Sequence, residues 1–273
     1  MKRGVDVSTF QGIVDWNAVK NAGNEFVIVK ATQGHSVTNP NLYCFVDSRF
    51  KANIAGAYTA GLMIGVYHYF TAQSDAEVEE EARHFIDTIK PYQNKIKLWA
   101  AVDVEDKKYC GSVERAELTH RVKAFMSLVE KAGFKPILYT NPNYLKYRFL
   151  DGAFDKTDIW LAHWGVSSPM KVKNMMIWQY GTVKIGGKAF DANYGYFDEI
   201  IAMGASIEVG STVKIKTGAK YKAAGKDADG AAIPFSVRRR KFEVLSVARF
   251  GVNDYALLAG INSWVNLKYL ECA

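Results

Sequence analysis

"LWAAVDVED", residues 98–106, reads as a buried strand until its last four positions, which hold three acids. Successive side chains of a strand point to opposite faces. Leu98, Ala100, Val102 and Val104 therefore share one face, and Trp99, Ala101, Asp103 and Glu105 the other. A buried carboxylate costs several kcal/mol unless it is paired or keeps its proton. Two carboxylates on one face at the end of a core strand thus mark either a solvated rim or a site, and the strands around it decide which.

Working outward, apolar strand-like runs alternate with helical patterns. RGVDV (3–7) precedes an amphipathic stretch from Trp16 to Ala22, then FVIVKAT (26–32). A helical pattern over Tyr43–Ala60 leads to MIGVYHYF (63–70), and Asp75 is placed to cap a helix over Ala76–Ile89. After the quoted strand, Ser112 is expected to cap a helix over Val113–Ala132 that Gly133 stops. PILYT (136–140), DIWLAH (158–163), MMIWQY (175–180) and AFDANY (189–194) complete eight strand candidates. Such alternation implies a parallel sheet, and eight strands in about 200 residues suggest a closed barrel. The later connections are too short for a full set of eight helices.

After Gly204 the texture becomes β throughout, in VKIKTGAKYKAAG, KFEVLSVARF and DYALLAGINSWVNLKYL, with no convincing helix. The expected organisation is a body over 1–203, a linker over 204–207 and a small all-β barrel over 208–273. The chain carries a net charge of +7, of which residues 208–273 hold +5. A basic tail on a near-neutral body suggests an anionic partner. RRRK (238–241) lacks any accompanying nucleic-acid module, so no nucleic-acid partner is expected.

Whole-chain properties exclude other classes. At 273 residues, 49% hydrophobic and 23% charged, the composition is that of a globular protein, and no run approaches the roughly 20 apolar residues of a membrane span. No apolar stretch follows the basic start MKRGVDVSTF, so synthesis without a signal peptide is expected, with a membrane lesion needed to reach an external target. Cys44, Cys110 and Cys272 form no metal or redox pattern and are expected to be free thiols. His-Glu-x-x-His and Gly-x-Ser-x-Gly are absent, and GTVKIGGKA (181–189) only mimics a phosphate loop. Neither a metal nor a cofactor is expected.

Acids recur where a parallel barrel gathers its chemistry, at the carboxyl ends of the strands. Asp6 ends the first strand, Asp103 and Glu105 end the fourth, and Asp191 lies in the last; closure would bring Asp191 beside Asp6. At matching positions lie Tyr67, Tyr69, Tyr139, Trp160, His163, Trp164, Trp178, Gln179 and Tyr180, and a groove of acids and aromatics suits a glycan. Glycosidic cleavage needs one protonated carboxyl to donate to the leaving oxygen and a negative partner to stabilise the oxocarbenium-like transition state. Crowded carboxylates raise at least one pKa. Glu105, longer and nearer the open end, is the better acid, and Asp103 the better inner partner. Alternate strand residues lie about 6.5–7 Å apart at the backbone, which straddles the retaining and inverting ranges and leaves the stereochemistry open. His68 lies at a matching position too, and both His68 and His163 are of a kind more often structural than ligating.

The chain resembles the glycoside hydrolase family 25 lysozymes. DVSTFQG (6–12), VIVKATQG (27–34), GVYHYF (65–70), VDVE (102–105), ILYTN (137–141), IWLAHW (159–164), IWQY (177–180) and FDANYGYF (190–197) carry the likeness, in order, over residues 1–203. The resemblance implies an irregular (β/α)-barrel of eight strands and about five helices that cleaves the β-1,4 bond between N-acetylmuramic acid and N-acetylglucosamine. By position it makes Glu105 the proton donor, Asp103 its catalytic partner, and Asp6 and Asp191 the rest of the acidic cluster. It also implies that Asp103 and Tyr67 orient a 2-acetamido group acting as nucleophile. Gln33 departs from the pattern, standing where that family commonly has Glu, which lowers charge near the groove and would alter subsite contacts. The tail resembles, more weakly, a bacterial SH3-like wall-binding domain, through VGSTVKI and INSWVNLKYLE.

The expected protein is a phage-type endolysin acting on bacterial peptidoglycan, with anionic wall polymers as partners of the tail. A start at Met203 would release the tail alone and allow self-association through it. The rival readings are a wall amidase or peptidase, and a glycan-binding protein without catalysis.

Overall fold

A computed structural model describes residues 1–36, 39, 41–197, 207, 209–223, 229–250 and 253–272. Two units separate, Met1–Met203 and Gly204–Ala273. Asp198, Glu199, Met203, the linker residues 204–206, residue 208 of the tail and the side chain of Cys272 lie outside the described residues. Cys44 and Cys110 are free thiols.

The first unit is a closed eight-stranded barrel with one extra short strand. In chain order the strands are β1 (Lys2–Val7), β2 (Phe26–Gln33), β3 (Phe45–Val46), β4 (Met63–Tyr69), β5 (Ile96–Asp103), β6 (Pro136–Thr140), β7 (Ile159–Ala162), β8 (Met175–Ile185) and β9 (Lys188–Gly195). Pairing runs β1-β2-β4-β5-β6-β7-β8-β9 and returns to β1, with β3 antiparallel against the end of β2. Neighbours from β1 through β8 are parallel, whereas β9 is antiparallel to both β8 and β1. The barrel is therefore mixed rather than parallel. Only Gly186 and Gly187, both at positive φ (56° and 80°), join Ile185 to Lys188, and a two-residue loop can only fold the chain back on itself.

Five helices accompany these strands: α1 (Trp16–Asn21), α2 (Phe50–Thr59), α3 (Asp75–Ile89), α4 (Arg115–Lys131) and α5 (Pro142–Tyr147). Three helix starts differ from the sequence reading. The helix expected from Tyr43 begins only at Phe50, because both carboxylate oxygens of Asp47 are taken by the backbone N–H groups of Thr9 (2.9 Å) and Arg49 (2.9 Å), forming the turn that separates β3 from α2. Ser74, not Asp75, caps α3, its hydroxyl accepting from the Glu77 N–H. Helix α4 starts at Arg115 rather than Val113; Arg148 binds the carbonyls of Cys110 and Val113 and holds that segment outside the helix.

Two apolar layers hold the barrel. The outer one packs Val5, Val27, Val66, Ala100 and Val102 against helix residues such as Phe85, Leu118 and Phe125. The lumen is filled by Phe26, Ile28, Trp99, Ala101, Ile137 and Trp160. Leu98 departs from the expected alternation, packing with the lumen group beside Trp99. A bulge explains it: between the pairs Ile64↔Ile96 and Val66↔Ala100 the register shifts, and β5 has two more residues than β4. Gly65 permits the close approach, since a Cβ there would sit 3.1 Å from the Trp99 carbonyl. Beyond the bulge, strict alternation returns and delivers Asp103 to the lumen.

The second unit comprises β10 (Thr212–Ile215), β11 (Lys220–Lys222), β12 (Asp229–Ala232), β13 (Lys241–Phe250), β14 (Asn253–Leu258), β15 (Ser263–Asn266) and β16 (Leu270–Cys272), all paired antiparallel. Val213, Phe242, Val244, Ala256, Leu258 and Val265 form its core. A one-turn helix, α6 (Phe235–Arg238), follows Pro234 where the sequence reading had none. Part of RRRK is used locally: Arg238 donates to the Ile233 carbonyl (3.1 Å), and the Arg238 and Arg239 guanidiniums lie over Phe235.

Candidate active site

Strand phase brings the four acids to one end of the barrel. Asp6 and Asp103 lie near the carboxyl ends of β1 and β5, both inward, and Glu105 sits two residues past the end of β5. Because β9 runs antiparallel to β1, Asp191 is the direct register partner of Asp6. Asp6 and Asp103 are buried, whereas Glu105 and Asp191 are half-buried and face the opening.

Two amides organise the floor. Asp6 Oδ2 accepts from Asn193 Nδ2 (2.7 Å) and Gln179 Nε2 (3.0 Å). Gln179 Oε1 in turn receives the Trp164 indole N–H (2.9 Å) and lies 3.0 Å from the Tyr139 hydroxyl. That hydroxyl is also 3.4 Å from Glu105 Oε2. Trp160 donates its indole N–H to Asn193 Oδ1 (2.8 Å) and packs edge-on to Tyr67 and Tyr139. Tyr69 donates to Asp106 Oδ2 (3.0 Å). Asp106 also accepts from the Tyr109 N–H, so the third acid of VDVED builds the wall and is spent there.

The electrostatics follow from this crowding. Burial, then the neighbouring Asp191, pushes the Asp6 carboxyl up to about 8, against the two amide hydrogen bonds. Burial and the adjacent Glu105 carry Asp103 well above the usual carboxylate range, opposed by Lys30. Glu105 is raised by burial, opposed by the Tyr139 hydroxyl, and Asp191 by burial. Four acids in one half-buried cluster cannot all ionise together, so the site retains a proton that an isolated carboxyl would lose.

Some expected site residues are engaged elsewhere. His163 accepts from the Met170 N–H at Nδ1 (3.0 Å) and its carbonyl takes the Trp178 indole N–H (2.8 Å), which fastens the β7–β8 connection. Tyr180 alternates with Gln179 onto the outer face of β8, where it stacks on Tyr194 (4.4 Å between centroids). Trp164, 48% exposed yet tied to Gln179, is the better placed aromatic. His68 lies outside the lumen, between Thr32 (2.7 Å) and Glu81 (2.8 Å).

Sequence reasoning missed Asn193 and Lys30. Asn193 was legible, two residues from Asp191 and so on the same face. Lys30, a lone charge within FVIVKATQ, has the inward phase of Ile28, and a bulge between Lys30 and Thr32 brings Gln33 to the same side; Lys30 is buried with its ammonium 2.6 Å from Gln33 Oε1. Gln33 is itself buried and donates to the His35 carbonyl (2.8 Å), so this departure acts inside the barrel wall rather than at a subsite.

Comparison with known proteins agrees with the geometry. The model of the family "Glycosyl hydrolases family 25" matches residues 5–186. An autolytic lysozyme of Clostridium acetobutylicum is 32% identical over 208 residues, covering 76% of this chain and 59% of that protein. This chain thus spans less than two thirds of that relative's length. A family 25 glycosyl hydrolase of Bacillus anthracis is similar in structure (TM-score 0.60, 26% identity), covering 73% of this chain and 90% of that one. The CTP1L endolysin, whose activity is regulated by a secondary translation product, is also similar (TM-score 0.61, 25% identity; 73% of this chain, 68% of that one).

Proposed function

The chain belongs to glycosyl hydrolase family 25, and from that premise we propose that it is a muramidase, cleaving the β-1,4 bond between N-acetylmuramic acid and N-acetylglucosamine in bacterial peptidoglycan. The observation that carries this reading is the pairing of half-buried Glu105, beside the Tyr139 hydroxyl at the opening, with buried Asp103 two residues deeper. Glu105 donates its proton to the glycosidic oxygen. Asp103, whose Oδ1 is buried without a hydrogen bond among the described residues, is the inner partner that accepts the substrate's 2-acetamido N–H and, with Tyr67, orients that group. Asp6 and Asp191 keep the cluster acidic enough in number, and dry enough in surroundings, that a proton stays available. Trp164 offers an exposed ring for a sugar to stack on.

The test is mass spectrometry of fragments released from purified walls. Reducing N-acetylmuramic ends support the muramidase; freed peptides support an amidase or peptidase; binding without release supports a silent glycan-binding protein. Glu105→Gln should abolish release while leaving the fold and wall binding intact, a loss of about 10²–10⁴-fold or more for a general acid. Asp103→Asn should cost less, still at least about 10²-fold.

The second unit is the wall-binding part of this proposal, an SH3-like module in a phage endolysin. Its net charge of +5 supports attraction to anionic wall polymers, and Arg239 and Arg240 are exposed. A start at Met203 would make this unit as a separate product able to associate with the full chain. Mass analysis of recombinant protein, with Met203→Leu as control, tests that extension.

A further inference from the structure

We propose that Gln179 is a positioning residue for the proton donor: its amide oxygen accepts the Tyr139 O–H while Glu105 carries its proton, and yields that O–H to Glu105 once the proton is given. Tyr139 keeps its own proton throughout, and only the direction of its O–H changes. The chemistry rests on the muramidase reading, whereas the exchange of hydrogen bonds is a property of the folded chain.

A phenol has one O–H to donate. Among the described residues two acceptors compete for that of Tyr139, Gln179 Oε1 at 3.0 Å and Glu105 Oε2 at 3.4 Å. The first distance lies within the ordinary O–H···O range and the second beyond it, so the O–H rests on the amide. Gln179 is buried, and its two ends are fixed. The Trp164 indole N–H, a donor only, reaches the same Oε1 at 2.9 Å, while Nε2 donates to Asp6 Oδ2 at 3.0 Å. A flipped amide would set a donor against the indole donor. The Tyr139 ring is also buried, edge-on to Trp160 (4.5 Å between centroids), which leaves its O–H as the part free to turn.

With the O–H on Gln179, the phenolic oxygen offers Glu105 a lone pair, which suits a carboxyl that carries its proton. Once that proton leaves, the O–H turns to the carboxylate, where a charge-assisted hydrogen bond is roughly twice as strong as a neutral one. The amide thus withholds from the loaded donor a bond that favours its ionised form. That bond is the foremost influence opposing burial at Glu105. Around Glu105 stand Asp103 and Asp106 on its own segment, Asp6 from β1, Lys30 from β2, Tyr67 and Tyr69 from β4, Tyr144 from α5 and Asp191 from β9. All of them remain in the variants below. Their effects, including any change passed through Asp6, are common to both arms of a double-substitution cycle.

Gln179→Met removes the amide oxygen at similar length and leaves Glu105 as the acceptor for the Tyr139 O–H. The donor then ionises more readily. The alkaline limb of kcat/KM against pH on soluble glycan fragments should move to lower pH, by about half a unit. In the Tyr139→Phe background the same substitution should leave the limb where Tyr139→Phe alone puts it. Should Gln179→Met fail to fold, Gln179→Asn draws the amide back by one methylene and carries the same expectation. A limb that stays fixed, or that moves equally with and without the Tyr139 hydroxyl, overturns the inference. Should the wild-type enzyme release no reducing ends, the muramidase reading fails by itself. The exchange is then read from carbon-13 titration of the Glu105 carboxyl in the folded proteins. A lower midpoint in Gln179→Met that disappears in the Tyr139→Phe background supports it, and an unchanged midpoint overturns it.

Discussion

Asp6 shows how one residue can set a pH dependence for the whole barrel. Its carboxyl sits near 8 when folded, whereas an unfolded chain gives up that proton near 3.9. Between those values the native state binds more protons than the unfolded one, so stability falls as pH rises. The contribution is fully present below about 4 and lost as pH climbs through about 8, at no more than about 1.4 kcal/mol per pH unit for one group. Asp103, Glu105 and Asp191 are raised too, and act in the same direction. Asp6→Asn keeps an oxygen able to accept from Gln179 and Asn193 but removes the titration. Thermal melts from pH 5 to 8 should therefore show a shallower decline in the Asp6→Asn variant than in wild type, with the two curves closing or crossing toward pH 8. Parallel curves would mean that Asp6 does not hold its proton in the folded state.

Among the elements, α3 is tied to the barrel by one buried acid. Glu81 on α3, fully buried, accepts from His68 Nε2 (2.8 Å), the Thr71 N–H (3.1 Å) and the Thr71 hydroxyl (2.8 Å). With Nε2–H directed at Glu81, His68 Nδ1 accepts from the Thr32 hydroxyl, so one chain of bonds joins α3, β4 and β2. Close approach at the end of β2 depends on Gly34, where a Cβ would lie 1.8 Å from Glu81 Oε1. Glu81→Ala strands three buried donors and should cost about 3 kcal/mol or more, given about 1–3 for each unsatisfied group. Urea unfolding measures it, and the specific activity of the fraction still folded should change little, since the network lies outside the lumen. A midpoint within error of wild type would show that the donors find other acceptors.

At the scale of the whole molecule, the four clustered acids lie within residues 1–203 and most of the net positive charge, +5 of +7, within 208–273. A tethered second unit would raise the local concentration of the barrel at the wall without adding contacts at the carboxylates. Removing residues 208–273 should therefore slow lysis of intact cells at least about tenfold, while cleavage of soluble fragments stays within about twofold. Binding of the isolated unit to walls should weaken with added salt, as charge attraction is screened over about 8 Å at physiological strength. Full-rate lysis by the truncated enzyme would remove the targeting role.

Much of this protein was legible without coordinates. Alternation alone put Asp103 and Glu105 on one face and Asp6 inward on its own strand, because strand phase is a local property of two-residue period. The in-order spacing of eight motifs carried the family, and with it an eight-stranded barrel. What the sequence did not reveal depends on contacts between distant segments. The two-glycine loop of β8–β9 reverses the last strand and so makes Asp191 the partner of Asp6. The bulge between β4 and β5 turns Leu98 inward, while Tyr180 is carried to the outer face and the His163 ring is used to fasten a loop. Above all, Lys30 reads locally as a misplaced charge in an apolar strand. Only the sheet, which sets β4 between β2 and β5, shows what surrounds that charge: the rings of Tyr67 and Tyr69 from β4 and the amide oxygen of Gln33. Side-chain direction is decided residue by residue, whereas the matching of buried charges is decided by which strands the closed sheet brings together.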